Sequence, residues 1–156
     1  MCLWTLSLNY ILELMSIKVD TFETVQEYKR IVVLVDDNRD QLTLLKFLLT
    51  TYNNKFEYAT FNLVDEAIKF IKKTVYTNGN AIIELIISDF YMYPKNGLDF
   101  LKIVKEMNLP IPFVLYSAFL SSGIIQEAKR LGAEKCIRKD LELKKIIYEI
   151  GNYIVI

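Results

Sequence analysis

The chain has 156 residues, with 19 basic and 19 acidic side chains, so its net charge at neutral pH is zero. This length suits one domain with a sizeable core, and the charge balance argues against nucleic-acid or membrane-surface binding, which normally needs a basic patch. There is no histidine, which excludes Ser-His and Cys-His catalysis and every histidine-based metal site. Any metal would need oxygen ligands, so Mg²⁺ and Ca²⁺ are the candidates.

The first fifteen residues are apolar, but they are shorter than the ~20 residues of a membrane span. They also lack the basic start of a signal peptide. Part of this stretch alternates like a strand, whereas Thr5, Asn9 and Glu13 are spaced like one helix face, and we favour a helix. Residues 1–28 are therefore interpreted as an N-terminal extension. The alternative is that Met15 is the true start and the upstream piece is a misassigned leader.

From residue 29 to residue 156 the pattern changes to strands and helices that alternate five times. Apolar runs predict strands at Ile31 to Val35, Phe56 to Thr60, Ile82 to Ile87, Phe113 to Ser117 and Lys135 to Arg138. Helical spacing predicts helices at Asp40 to Tyr52, Asn62 to Val75, Gly97 to Met107 and Ser121 to Leu131, with a last one after Asp140. This alternation is typical of a doubly wound, five-stranded parallel sheet with helices on both faces.

Polar residues stand where four of these strands end. They are the pair Asp36-Asp37, then Asp89, Ser117 and Lys139. Because the carboxyl ends of parallel strands share one end of a sheet, where open α/β folds bind ligands, these side chains should meet there. Three neighbouring carboxylates repel one another, and a divalent cation such as Mg²⁺ relieves that repulsion. A lysine and a hydroxyl beside them suit a phosphoryl group.

Each of these residues alone also has an ordinary explanation. The aspartates cap helices or turns in many proteins, Ser117 fills space, and Lys139 is solvated. Convergence of all of them on one end of the sheet by accident is much less expected. A carboxylate there can attack phosphorus and form an acyl phosphate, while the cation and the lysine neutralise charge on the transferred group.

These segments resemble the response-regulator receiver domain of two-component signalling, the CheY-like family. VVLVDDN resembles its acidic-pair strand, IISDFYMYPKNGLDFL its phosphoacceptor segment, FVLYSA its hydroxyl strand and LGAEKCIRKD its lysine segment. The resemblance covers about residues 29–150. It implies a flavodoxin-like strand order 2-1-3-4-5, the order of the family's chemotaxis member.

The resemblance also implies roles for single residues. Asp89 would accept a phosphoryl group from a histidine kinase, a phosphotransfer protein or a small phosphodonor. Asp37 and Asp89, with the backbone carbonyl of Tyr91, would hold Mg²⁺, and Asp36 would reach the ion through water. Ser117 and Lys139 would contact the phosphoryl group. Phosphorylation would bias the fourth-helix region toward a downstream protein target. The protein would thus be a stand-alone cytoplasmic signalling domain rather than a dedicated enzyme, consistent with cysteines that form no disulfide framework.

The sequence departs from the family pattern at four places. Asp140 replaces the proline that usually follows the lysine, often through a cis bond, so we expect a trans or strained bond and an altered position of Lys139. Cys136 replaces the aromatic switch residue, which weakens coupling to the partner face. Tyr91 and Phe119 are bulky neighbours of the site, poorly suited to placing an attacking water, and predict slow self-dephosphorylation. A longer segment before the third strand should extend a loop.

Other functions remain open at this point. The nearest rival is a pseudo-receiver, an interaction module that keeps the fold without phosphorylation. A further rival is an aspartyl-phosphate phosphatase, but its DxD motif is missing because Asp36 and Asp37 are adjacent, and no nucleotide-binding glycine motif is present. The apolar stretches Met1 to Met15 and Tyr153 to Ile156 should emerge near each other, where they could pack together or form a homodimer contact.

Overall fold

The computed structural model describes residues 28–77, 79–140, 143–151 and 153. Five strands alternate with five helices along this part of the chain. The strands are β1 (Lys29–Val35), β2 (Glu57–Phe61), β3 (Ala81–Ser88), β4 (Phe113–Ser117) and β5 (Lys135–Arg138). The helices are α1 (Arg39–Tyr52), α2 (Val64–Thr77), α3 (Gly97–Glu106), α4 (Ser122–Arg130) and α5 (Leu143–Gly151).

All five strands form one parallel sheet in the order β2-β1-β3-β4-β5. This confirms the predicted flavodoxin-like order. The order reverses direction between β1 and β3, and ligands of such sheets bind outside the carboxyl ends of the strands at this point. The end of the sheet where the strands finish is called the carboxyl end below, and the opposite end is called the amino end.

The central strands are apolar because helices cover both faces of the sheet. The last five residues of β1 and the last four of β3 are buried. The apolar run from Ile82 to Ile87 predicts a strand buried on both faces, and this is wrong at Ile82, which is 45% exposed near the start of β3. This residue lies at the amino end, beyond the cover of the flanking helices. The side chains of the two faces form two separate apolar clusters, one mostly under α2, α3 and α4 and the other mostly under α1 and α5.

Three helices begin at side-chain caps that leave few backbone amides unsatisfied. The Asn38 side chain accepts from the amides of Asp40 and Gln41, and Ser121 accepts from the amide of Ile124. Asn96 forms a full capping box, in which Asp99 accepts from the backbone amide of Asn96 in return. The helices that leave β1 and β3 therefore start at fixed positions just beyond the carboxyl end.

Two further expectations concern helix ends. The helix predicted to end at Leu131 is followed by Gly132, whose φ of +89° is the left-handed conformation that commonly ends a helix. Helix α2 continues to Thr77, two residues further than predicted, and β3 begins at Ala81. Part of the segment that was expected to extend the loop before β3 is therefore helical.

The predicted N-terminal helix and the predicted contact between the two chain termini fall on residues outside the described ranges. Among the helices that are described, none has the length and apolar character needed to cross a membrane.

Candidate functional site

Hydrogen bonds of the sheet continue past the strand ends and fix the backbone of the predicted site. The amide of Asp36 donates to the Phe61 carbonyl at 3.1 Å, and the amide of Asp89 donates to the Val35 carbonyl at 2.8 Å. The amide of Lys139 donates to the Ser117 carbonyl at 3.0 Å. The predicted site residues therefore start from the rigid part of the fold and not from loose loops.

Three carboxylates meet at the carboxyl end of β1 and β3. Asp36, Asp37 and Asp89 each offer one oxygen, and these oxygens lie within 4.8 Å of one another. Asp36 and Asp89 are buried, whereas Asp37 is exposed and faces solvent. An open cluster of carboxylate oxygens suits Mg²⁺, which keeps several of its own waters when it binds. The structure thus brings together the three acidic side chains that the sequence singled out.

Lys139 reaches into this cluster from the end of β5. Its Nζ lies 2.6 Å from Oδ2 of Asp36, to which it donates a hydrogen bond, and 3.1 Å from Oδ1 of Asp89. Oδ1 of Asp36 also accepts from the backbone amide of Asn38 at 2.9 Å. Burial raises the pKa of Asp36 even though these two hydrogen bonds and the nearby ammonium oppose the shift. The negative charge on Asp36 is therefore held at an energetic cost.

Two buried oxygens at the site accept or donate no hydrogen bond within the described part of the chain. They are Oδ1 of Asp89 and Oγ of Ser117, which is only 1% exposed. Lys139 is close enough to Asp89 Oδ1 for an ion pair but is not oriented to donate a hydrogen bond to it. Buried polar atoms without partners are uncommon and costly, and they often mark a place where a ligand or ion completes the bonding. Both atoms are available to bind an added group.

Gly97 keeps the backbone around Asp89 close-packed, a role that the sequence pattern, which predicts only a helix start at this residue, does not reveal. A Cβ at this position would lie 2.7 Å from Leu115 Cδ1 and 3.0 Å from Phe90 Cα, and closer still to the Asp89 carbonyl oxygen. The Gly97 amide donates to the Phe90 carbonyl at 2.9 Å. Any larger side chain would therefore displace the backbone at Asp89 and Phe90.

Tyr116 is a second residue that the sequence did not single out. It precedes Ser117 on β4, is 8% exposed, and its ring centroid lies 5.5 Å from Nζ of Lys139. Burial, with a smaller contribution from the Asp36 charge, raises the pKa of the Tyr116 phenol to about 12. The ring shields one side of the ammonium from water. No short sequence motif signals such a contact, because it depends on the packing of β4 against β5.

The departures from the family pattern can now be placed. Tyr91 and Phe119 follow Asp89 and Ser117 by two residues each and are 52% and 61% exposed, so both rings face solvent. Lys139–Asp140 is not among the cis peptide bonds of the described residues, in agreement with the expected trans bond, and the lysine amine still reaches two carboxylates. Cys136 is half-buried against the cluster beneath α4, and burial raises the pKa of its thiol.

Comparison with known proteins supports the same assignment. The profile of the response regulator receiver domain matches residues 32–150. The transcriptional regulatory protein ZraR of Klebsiella oxytoca is 26% identical over 115 residues, covering 74% of this chain and 24% of that protein. The response regulator SaeR of Staphylococcus epidermidis is 26% identical over 126 residues, covering 78% of this chain and 48% of that protein. The chain therefore spans about half the length, or less, of these curated relatives.

Solved structures share the fold. The chemotaxis protein CheY4 of Vibrio cholerae superposes with a TM-score of 0.69 at 22% identity, covering 80% of this chain and 98% of that one. A receiver domain from Clostridium thermocellum gives a TM-score of 0.66 at 24% identity, covering 81% and 94%. The family profile matches most of the chain, and the fold agrees. The chain belongs to the response regulator receiver domain family of two-component signalling.

Proposed function

We propose that this chain is a phosphoacceptor receiver, phosphorylated on Asp89 in the presence of Mg²⁺, that signals by binding a downstream protein. The observation that carries the proposal is the pair of unsatisfied buried oxygens, Asp89 Oδ1 and Ser117 Oγ. Asp89 Oδ1 lies 3.1 Å from the Lys139 ammonium, and the Ser117 carbonyl accepts a hydrogen bond from the Lys139 backbone amide. A nucleophile, a hydroxyl donor and a cation are the groups that phosphoryl transfer to a carboxylate needs.

The reaction follows from these groups. An Asp89 oxygen attacks phosphorus and forms a new O–P bond, while the bond from phosphorus to the donor breaks. The donor leaves with that electron pair and takes up a proton from solvent. Ser117 donates its hydroxyl hydrogen, and Lys139 donates from its ammonium, to oxygens of the transferred group. In this way Ser117 would gain the partner that it lacks among the described residues.

The metal ligands would be Asp37, Asp89 and the backbone carbonyl of Tyr91, with Asp36 reaching the ion through water. This division of roles agrees with the burial, because Asp37 faces solvent while Asp36 already accepts two hydrogen bonds. When bound, Mg²⁺ would neutralise charge on the transferred group. Phosphorylation and Mg²⁺ binding are general properties of the family, which supports the proposal for this chain.

The phosphodonor would be a histidine kinase or a phosphotransfer protein, and the site of action would be the cytoplasm. We also propose that the phosphorylated form loses its phosphoryl group slowly. Tyr91 and Phe119, two residues beyond Asp89 and Ser117, carry bulky exposed rings that are poorly suited to placing an attacking water. The decay of the phosphorylated protein, followed over time, tests this, and rapid loss would contradict it.

The central test is incubation of the protein with Mg²⁺ and acetyl phosphate, followed by intact-mass measurement. We expect a gain of one phosphoryl group in the wild type and none in Asp89→Asn. Asp65→Asn is a matched control, because Asp65 is an exposed aspartate on α2 that pairs with Lys95. An unmodified wild type, or modification that persists in Asp89→Asn, would overturn the proposal.

The second candidate is a pseudo-receiver that binds partners without phosphorylation. It is favoured by Cys136, a small half-buried side chain where the family has its aromatic switch residue. For this candidate the mass would stay unchanged with acetyl phosphate, and partner binding would be equal for the wild type and Asp89→Asn.

A further inference from the structure

An apolar groove lies at the amino end of the sheet, opposite the aspartate cluster. It has a volume of about 440 Å³ and runs between the end of α2, the start of β3 and the residues that lead into β4. Val75, Ile82, Leu109 and Pro112 line it, together with Tyr153 near the C-terminus. Ile82 is 45% exposed and Val75 is 36% exposed, although both belong to regular elements with buried neighbours. The groove thus presents apolar side chains to solvent.

The chain enters the fold beside this groove. Lys29, the first residue of β1, pairs with Ala81 at the start of β3, and its amide donates to the Asn80 carbonyl at 2.8 Å. Arg30 pairs with Ile82 itself. The described chain therefore joins the sheet, at Lys29, next to the groove.

The segment of residues 1–15 is apolar like the groove, and its connection to the sheet is long enough for it to reach the groove. Residues 1–15 contain eleven apolar side chains, and Trp4 is the one tryptophan of the whole sequence. Twelve residues separate Met15 from Tyr28, and this connection spans up to about 40 Å when extended. The apolar segment can therefore fold back onto the groove, which is lined by Ala81 and Ile82, the residues paired with Lys29 and Arg30.

We propose that residues 1–15 bind in this groove of their own chain and cover Ile82 and Val75. The occupant is the tethered segment, because its attachment beside the groove gives it a high effective concentration there, whereas a second copy has to be recruited from solution. The proposal concerns the end of the fold opposite Asp89 and does not depend on phosphorylation.

The fluorescence of Trp4 tests the proposal directly in the full chain. Excited where tyrosine does not absorb, Trp4 should emit at the short wavelengths of a buried indole and be poorly quenched by acrylamide. Ile82→Glu places a charge in the groove and should shift the emission to longer wavelength and raise quenching several-fold. Val75→Glu, on a different element, should do the same. Phe47→Glu is the control, because Phe47 is 67% exposed on α1, outside the groove.

Circular dichroism confirms that each variant is folded, and light scattering over a range of concentrations gives the mass in solution. Short-wavelength emission from a monomer that responds to either groove variant but not to Phe47→Glu supports the proposal. Water-like Trp4 emission in the wild type overturns it, and so does emission that neither groove variant changes. A dimer that Ile82→Glu dissociates also overturns it, because the segment then occupies the groove of a second copy.

Discussion

The two ends of the sheet hold charged residues in opposite ways. At the amino end, Lys29 pairs with Glu57, and both side chains are about half exposed, at 57% and 45%. Arg30 there pairs with Glu84 at 2.7 Å. At the carboxyl end, Lys139 and Asp36 pair at 2.6 Å with side-chain exposures of only 13% and 9%. The Lys29–Glu57 and Lys139–Asp36 pairs therefore both form close contacts, but the first is far more exposed to water than the second.

This difference distinguishes ordinary surface ion pairs from charged residues that are buried together at a functional site. A pair in water contributes little to stability, and its loss changes little. A buried pair is expensive to assemble, and more so when a second carboxylate, Asp89, stands beside it with an unsatisfied oxygen. A fold needs no such cluster for stability, so its presence at the carboxyl end indicates a functional cause.

The largest expected effect comes from removing the buried cation. Lys139→Met leaves Asp36 and Asp89 buried without their counter-charge, and we expect it to lower the free energy of unfolding by about 3–5 kcal/mol. Lys29→Met at the amino end should lower it by less than about 1 kcal/mol. Urea unfolding of both variants without Mg²⁺ measures the difference. Equal effects would remove the contrast between the two ends.

A second test concerns how tightly the carboxyl end is packed. Gly97→Ala forces a methyl group against the backbone at Asp89 and Phe90, and we expect a loss of about 3 kcal/mol together with weaker phosphorylation. Gly123→Ala is the matched control, because its added Cβ meets nothing closer than 3.9 Å. In helix α4 the alanine should raise stability by up to about 1 kcal/mol. Wild-type stability and phosphorylation of Gly97→Ala would show that the backbone at Asp89 and Phe90 can shift to accept the methyl group.

Metal addition should act on the carboxyl end alone. We expect Mg²⁺ at about 100 times its dissociation constant to stabilise the wild type by about 2.7 kcal/mol, measured as a higher melting temperature. Asp37→Asn removes one carboxylate of the cluster and should abolish most of this gain. Glu84→Gln at the amino end should keep it. A gain that survives in Asp37→Asn would place the ion elsewhere.

The smallest effect is expected at alkaline pH. The folded-state pKa of Tyr116 is about 12 against an ordinary value of 10.0, so the unfolded chain loses this proton first as the pH rises. Ionisation of Tyr116 therefore leaves the free energy of unfolding unchanged below pH 10 and lowers it by on the order of 2 kcal/mol as the pH approaches 12. Tyr58, also raised to about 12, adds to the same decline. Tyr116→Phe should flatten the dependence, and an unchanged slope would contradict this.

Most of the fold could be predicted because strong local patterns agree with the tertiary arrangement. The bounds predicted for β4 and β5 are confirmed, since Pro110, Pro112 and Gly132 delimit the strands and the helix between them. The exposure of Ile82 could not be predicted, because a run of apolar residues does not show which of them lie beyond the covering helices. The Asn96 and Asp99 capping box does have a readable sequence signal, a cap residue followed three positions later by an acidic one.

Which residue types meet at the site could be predicted, but their geometry could not. Residue types at strand ends identified Asp36, Asp37, Asp89, Ser117 and Lys139 as neighbours. The preference of Lys139 for Asp36, 103 positions away in sequence, depends on side-chain packing that no local pattern encodes. The same holds for the unsatisfied oxygen of Ser117, because a missing partner is a property of the assembled site.

The hydrogen bond from the Lys139 amide to the Ser117 carbonyl has a mechanical consequence. It links, through the backbone, the two residues whose side chains are proposed to contact the phosphoryl group. If Asp89 is phosphorylated as proposed, a shift of either residue toward the new charge would also displace the other. The ends of β4 and β5 would then shift as one body, and the start of α4, which follows β4 after a short connection, would feel the modification as a single displacement.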